Sequence, residues 1–533
     1  MKNIISYLLL SKVEKKAFVN IFLIALLAMS SLLTANILYS DDLTRVTTGE
    51  TFWNANGRPL ASLISLVLQL GKPLTDISPL PQILALAIYA LSAVYLGKLF
   101  QVDNLLLLTL CGTVFVLSPF NLQNFAFVFD SYTMSTAVLT STLATLAVSL
   151  SLENHLPKKE KIISFSLSFI LLLCSICLYQ YATSVYLVTC FCYGLLQLLN
   201  RQYRKSLEIF QASTIIVSLS FITYIPLKSL YVGKDGYNSY HSQIVSFSEF
   251  PLKSINTLQV FWRNIQQLLG SGTINTLYYI LFIITLLVIF TKAFTIQKKV
   301  TIAFWLKIFK KSLTRFILII FYLLLIIVSV SGIILVMENP ILEPRVMMGL
   351  TTLVTICCLF LSNEFFQKRR KLFKYYLIGF LVLLSIAFTN VSLTFGNVLY
   401  LQNVQDELIA TLLISDITEI IPQLPIPPKH LSTAIVNTLD YTYANVKAYE
   451  KYPILKTITW YYLQPNVQFY TKMETLGFKF NPADYRDSTI TGTNNEFVPK
   501  TEPILIRSLY KIYFERGIAN NHLLIVVFEN PNY

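Results

Sequence analysis

Residues 17–45 read AFVNIFLIALLAMSSLLTANILYSDDLTR, and this stretch decides the fold. From Ala17 to about Tyr39 no charge interrupts the run, and roughly 20 apolar residues suffice to cross a bilayer. Lys2, Lys12, Lys15 and Lys16 precede it, which predicts a cytoplasmic start under the positive-inside rule. Asp41 and Asp42 are then delivered to the opposite membrane surface. No small-residue cleavage site follows the span, so it reads as a retained signal anchor.

The apolar character extends along the chain. Of 533 residues 54% are hydrophobic and 13% charged, with a mean hydropathy of +0.59. Soluble domains average about 25% charged, so the chain is read as a polytopic membrane protein. The net charge of +14 does not point to nucleic acid. Its lysines and arginines sit in short clusters between apolar spans: Lys158-Lys159, Arg201 to Lys205, Lys298-Lys299, Lys310-Lys311 and Lys368 to Lys371. That is the pattern of cytoplasmic loops, not a nucleic-acid patch.

Hydropathy and these clusters predict about eleven spans, near 17–39, 80–98, 104–118, 133–152, 162–179, 181–199, 207–227, 275–291, 316–336, 346–362 and 375–394. The fifth and sixth are joined by little more than Gln180. The external loops are then 40–79, 118–132, 228–274 and 337–345. Within the first, Pro59 to Leu70 is apolar but too short to span, and is expected at the interface. Residues 1–394 form the membrane unit. Residues 395–533 are polar enough, and numerous enough, to bury a core of their own as a small α/β domain outside the membrane. There, Val398 to Ile421 reads as a helix and Leu523 to Phe528 as a buried strand.

All seven cysteines fall in apolar spans, so no disulfide framework is expected. Cys174-x-x-Cys177 lies in a leucine-rich run and reads as packing. The four histidines are scattered without metal-ligand spacing, so no metal site is inferred. No Walker loop, GxGxxG, GxSxG or HExxH occurs.

The candidate chemistry lies at the external rim, where charges beside a bilayer have to be explained by position. Asp41 or Asp42 can take a proton from an attacking hydroxyl. Arg45 and Arg58 suit a phosphate because a guanidinium donates two parallel charged hydrogen bonds. A solvated loop with a local ion pair is the plain alternative. Asp130 is either the N-cap of the fourth span or a second acidic wall of the same site. Arg345, at the Pro344 turn, is either an interfacial anchor or a phosphate ligand. Tyrosine-rich stretches such as Trp460-Tyr461-Tyr462 in the tail suit core packing or sugar stacking.

The run Tyr39-Ser40-Asp41-Asp42-Leu43-Thr44-Arg45, followed by Trp53 and Gly57-Arg58-Pro59-Leu60, resembles the membrane glucosyltransferases of bacteria and phages that modify O-antigen, the serotype-converting type. Asp76-Ile77-Ser78-Pro79-Leu80, Ser118-Pro119-Phe120 through Asn124 to Asp130, and Pro344-Arg345 fit the same family. The resemblance implies a GT-C type bundle in the bacterial inner membrane, N-terminus cytoplasmic and tail periplasmic. It implies a glucosyl phosphoryl undecaprenol donor and an O-antigen or related lipopolysaccharide acceptor. On this basis Asp42 is the preferred base, with Asp41 orienting it or binding the sugar. Arg45, Arg58 and Arg345 hold the donor phosphate, and Trp53, Asp130 and Asn124 contact substrate. No cofactor is implied; two adjacent carboxylates can bind a divalent cation, but no spacing requires one. An O-antigen polymerase and a lipid-linked sugar flippase are the alternatives.

Overall fold

The computed structural model describes residues 7–233, 240–241, 243–246, 248–293, 302–367, 371–425, 427, 430–439, 441–483, 499–516 and 522–529. Lys2 and the basic clusters Lys298-Lys299 and Lys368-Arg369-Arg370 lie outside the described residues.

The chain starts with α1 (Lys12–Ala28) and α2 (Ser30–Ala35), then the short α3 (Asp42–Thr48) and α4 (Pro59–Leu68). A run of long helices follows: α5 (Leu80–Leu99), α6 (Leu105–Val116), α7 (Leu122–Ala126, short), α8 (Ser131–Ser151), α9 (Lys158–Leu178) and α10 (Thr183–Leu199). Next come α11 (Tyr203–Ser229), α12 (Phe250–Leu269), α13 (Thr273–Ala293), α14 (Ile302–Ser331), α15 (Met348–Gln367) and α16 (Lys371–Ile420). The tail adds β1 (Leu431–Val436), α17 (Val446–Lys451), α18 (Pro453–Ile458), α19 (Val467–Thr475), β2 (Leu505–Ile506), β3 (Tyr510–Arg516) and β4 (His522–Phe528).

Among the described residues nine helices are long and apolar enough to cross a membrane, ten if the pair 105–116 and 119–126, bent by 47°, is one span. Proline explains the bend: Pro119 follows Ser118 and opens a 3-10 turn instead of continuing α6. The first expected span is also broken. α1 ends after 17 residues at Met29, and α2 continues the run to Ala35. Helix covers most of each of the eleven expected stretches, but the first is split at Met29 and stops at Ala35, and the third stops at the bend after Val116. The protein is a mainly helical, multi-pass membrane protein. At α1, Ser11 Oγ accepts from the Glu14 amide while the Glu14 carboxylate accepts from the Ser11 amide, a reciprocal cap.

α16 is 50 residues long. At about 1.5 Å per residue that is roughly 75 Å, more than twice the ~30 Å of a hydrocarbon core. Its long apolar run lies in the first half and its acidic residues Asp406, Glu407, Asp416 and Glu419 in the second, so one continuous helix carries the chain through residue 394 and into the tail. Its Gly396 is where α16 meets α2: a Cβ there would lie 2.2 Å from the Leu32 amide nitrogen. In the tail the four strands are ordered β1-β4-β3-β2, with β1 parallel to β4 and the other pairs antiparallel. β4 is the expected apolar strand, buried on both faces. Leu524, Val526 and Phe528 meet Ile409, Leu413 and Ile417 of α16, whereas Leu523, Ile525 and Val527 face Ala434 and Tyr513. α4, with 10 residues, is too short to span, and Leu63 and Val67 are exposed on it.

Candidate active site

The loops joining these helices at one end of the bundle, together with the tail, enclose a cavity of about 980 Å³. Its polar wall includes Asp41, Arg45, Arg58, Asp130, Gln180, Glu343 and Arg345. Its apolar wall includes Phe221 and Ile225 of α11 and Ile333, Val336 and Met337 after α14. The tail contributes Trp460, Asn466, Val467 and Gln468.

Asp130 organises the first two arginines. Its carboxylate lies 2.8 Å from Arg45 Nη1 and 3.8 Å from Arg58 Nη1. It also accepts from the Trp53 indole N–H at 2.5 Å. As N-cap residue of α8 it makes no side-chain cap bond, so the cap reading of this carboxylate does not hold. Each guanidinium also rests on an aromatic face: Arg45 over Trp53 and Arg58 over Tyr179, both 4.5 Å from the ring centre, and Arg345 over Phe127 at 5.1 Å. Burying such charges costs several kcal/mol per ion before the pairing repays it. The cluster is therefore a poor device for stability and needs another explanation.

Arg58 is held from a second side. Its Nε donates to Gln180 Oε1 at 3.2 Å, and Gln180 Nε2 donates to Asn56 O and to the Tyr224 hydroxyl. That hydroxyl donates to Gly57 O at 2.9 Å. Gly57 is required here: its φ is +70° and a Cβ would lie 2.6 Å from the Tyr224 oxygen. Arg345 sits in a closed ring. Its Nε is 2.9 Å from Glu343, its amide donates to Gln123 Oε1, and Gln123 Nε2 donates to Glu343. Burial works against the Arg345 charge, but Glu343, Tyr179 and Asp41 outweigh it and hold this pKa above the usual arginine value.

The two aspartates face different ways. Asp41 is exposed and lines the cavity. Asp42 is 0% exposed, and its carboxylate accepts from the amides of Val128 (2.7 Å), Tyr39 (3.2 Å) and Phe129 (3.2 Å). It staples the start of α3 to the 127–130 corner. Burial pushes the Asp42 carboxyl up to about 8, against the pull of Arg45 and with a push from Asp130. Such a value would suit a base at neutral pH, but a base must first reach the proton it abstracts. Asp42 is absent from the cavity wall.

Of the expected site residues, the fold gathers Asp41, Arg45, Arg58, Asp130 and Arg345 on one cavity. Trp53 and Asn124 lie fully buried behind its wall, because Trp53 is taken up by Asp130 and Arg45, and Asn124 belongs to the buried α7 turn. Gln123, Gln180, Tyr179, Tyr224 and Lys228 were not anticipated. Two of them leave a signal in the sequence: Gln180, a polar residue separating two apolar runs, and Lys228, the charge that opens the expected external loop 228–274. Among the described residues no group of three or more His, Cys, Asp or Glu side chains is arranged to hold a metal ion.

Residues 30–356 match the sequence model of a family described as glucosyl transferase GtrII, a stretch that includes every charged residue just described. A protein of Salmonella phage P22, described as an uncharacterized 55.3 kDa protein in the gtrB 5' region, is 28% identical over 272 residues. That alignment covers 50% of this chain and 54% of the phage protein, so the chain spans about half the length of this curated relative. No solved structure matches.

Proposed function

This chain belongs to the glucosyl transferase GtrII family, and from that premise we propose that it is a hexosyltransferase moving glucose from a polyprenyl-phosphate donor to a sugar of an O-antigen or related lipopolysaccharide glycan. The observation that carries the reading is the convergence of Asp41 and three arginines on one cavity that also has an apolar wall. Arginines meet the lipid phosphate, the apolar wall between α11 and the end of α14 meets the first part of the prenyl chain, and Asp41 faces the acceptor. The basic clusters on the opposite loops favour a periplasmic cavity in the bacterial inner membrane. The tail (395–533) is then periplasmic beside the catalytic bundle (1–394).

The reaction is a single displacement. Asp41 takes the proton of the acceptor hydroxyl, and the freed oxygen attacks the anomeric carbon. The bond from that carbon to the phosphate oxygen breaks, and its electron pair leaves with the lipid phosphate. Arg45, Arg58 and Arg345, with Lys228 as a further cation on the wall, stabilise the growing negative charge. A phosphate leaves without a proton, so no general acid is needed. One displacement inverts the anomeric configuration, in contrast to the two-step route of retaining glycosidases. The expected base was Asp42; on this reading it is Asp41, supported by its place on the cavity wall, and Asp42, Asp130 and Trp53 are positioning residues. Family membership favours glucosyl transfer over the polymerase and flippase alternatives.

The test is direct. Purified protein in nanodiscs, given polyprenyl-phosphate glucose labelled in the sugar and O-antigen oligosaccharides, should place label covalently on the oligosaccharide with inverted configuration. Chain lengthening of the oligosaccharide, or movement of the lipid without chemistry, would sink this reading.

A further inference from the structure

The tail wall of the cavity carries a side chain that the reaction just described does not use. Trp460 is half-buried and lines the cavity, and its indole N–H has no hydrogen-bond partner although the atom is buried.

Trp460 is also held beside the base. On one side of it, the Tyr39 hydroxyl donates to Ile458 O at 2.8 Å. On the other, the Tyr462 hydroxyl accepts from the Ser40 amide at 3.3 Å and bonds to Leu38 O. The Tyr462 amide in turn donates to the buried Asp406 at 3.0 Å. Two anchors thus clamp residues 458–462 onto 38–40, the segment that leads into Asp41. The Trp460 ring meets Tyr39 edge-on, 6.2 Å between centres at 62°. Beyond it, at the exposed start of α19, come Asn466 and Gln468. Asn466 Oδ1 is already used by the Phe469 amide, which leaves its NH2 to donate.

We propose that Trp460, with Asn466 and Gln468, forms the subsite for the acceptor sugar, taking a pyranose that lays its C–H face on the indole and its hydroxyls on the two amides. The inference rests on the proposed transfer reaction and deepens it. Two features make this the acceptor's side and not the donor's. The cations and the apolar wall occupy the part of the cavity built by the bundle, whereas this wall is polar, aromatic and part of the tail. The family match also ends at residue 356, so the tail wall lies outside the stretch shared with the family, as a specificity element should.

The experiment uses the full chain in nanodiscs with labelled polyprenyl-phosphate glucose and O-antigen oligosaccharides ending in gluco-, galacto-, manno- or rhamnopyranose. Trp460→Ala should raise the KM for the best acceptor at least tenfold while the KM for the donor stays within twofold. Trp460→Phe, which keeps a stacking face but loses the N–H, should raise the acceptor KM only two- to fivefold. An acceptor KM within twofold of wild type in Trp460→Ala, or a donor KM that rises with it, overturns the subsite while leaving the transfer reaction standing. No transfer by the unaltered protein to any acceptor overturns the reaction, and the subsite with it.

Discussion

Replacing Asp42 by alanine should destabilise the protein far more than replacing Asp41. The Asp42 carboxylate accepts three buried amides, those of Tyr39, Val128 and Phe129. Each amide left without an acceptor costs about 1–3 kcal/mol, so the three together bracket about 3–9 kcal/mol. Relaxation of the short loops, and the tether that Arg45 keeps to Asp130 at 2.8 Å, favour the lower part, about 3–5 kcal/mol. Asp41 is exposed, and its loss should stay within about 0.5 kcal/mol. All seven cysteines are free, six of them buried and Cys174 half-buried, so a thiol-reactive fluorophore reports unfolding directly. Heated in detergent with that dye, Asp42→Ala should label at a clearly lower temperature than wild type, and Asp41→Ala at the wild-type temperature. Equal midpoints for both variants would refute the staple, as would a larger loss in Asp41→Ala.

Three further outcomes follow from the same contacts. Asp42 is pushed up to about 8 in the folded protein, against about 3.9 when unfolded. The folded state therefore holds a proton that the unfolded state has lost, and stability falls as pH rises from about 4 to about 8. Asp42→Asn should flatten that slope in dye midpoints taken at pH 5 and pH 8; an unchanged slope counts against the burial argument. Gly57→Ala introduces a Cβ 2.6 Å from the Tyr224 oxygen and 3.3 Å from Gln180 Nε2 at a φ of +70°, which disturbs the amide that orients Arg58. Transfer from the lipid donor should fall by about tenfold, a small part of what one transition-state donor supplies, and a wild-type rate would show that Arg58 needs no such placement. Arg345→Lys keeps the charge but loses the planar fork and its seat on Phe127. Turnover should drop by roughly 10–100-fold with the unfolding temperature kept, and unchanged turnover would reduce Arg345 to an anchor.

Much of this was legible in the sequence because a charge at the edge of an apolar span has few innocent explanations. Asp41, Arg45, Arg58 and Arg345 stand out for that reason, and the fold gathers them. What sequence could not supply was the direction each side chain faces. Asp42 is turned inward by amides 86 and 87 residues away, contacts that leave no mark in its own neighbourhood. Gln180 was visible only as a thin join between two spans, although it orients Arg58. The break of α1 at Met29 and the bend at Pro119 were smoothed over by hydropathy, which averages across a window and does not register a local turn. The shift to polar composition near residue 395 marks where α16 leaves the apolar region, yet the helix itself continues because nothing there interrupts it. Of the tail strands only β4 is an uninterrupted apolar run; β1 is broken by Ser432 and Thr433 and β3 by Lys511, Glu515 and Arg516, so neither stands out in the sequence although β1 is also buried on both faces.

If Asp41, and not its neighbour, removes the acceptor proton, the two carboxylates must differ in the chemical step itself. The most direct measurement compares Asp41→Asn and Asp42→Asn for single-turnover transfer of labelled glucose from polyprenyl-phosphate glucose, at a temperature where the thiol dye reports both as folded. Asp41→Asn should lose about 10²–10⁴ in the chemical step, and Asp42→Asn much less. Transfer at the wild-type rate by Asp41→Asn, or the larger loss in Asp42→Asn, would contradict it.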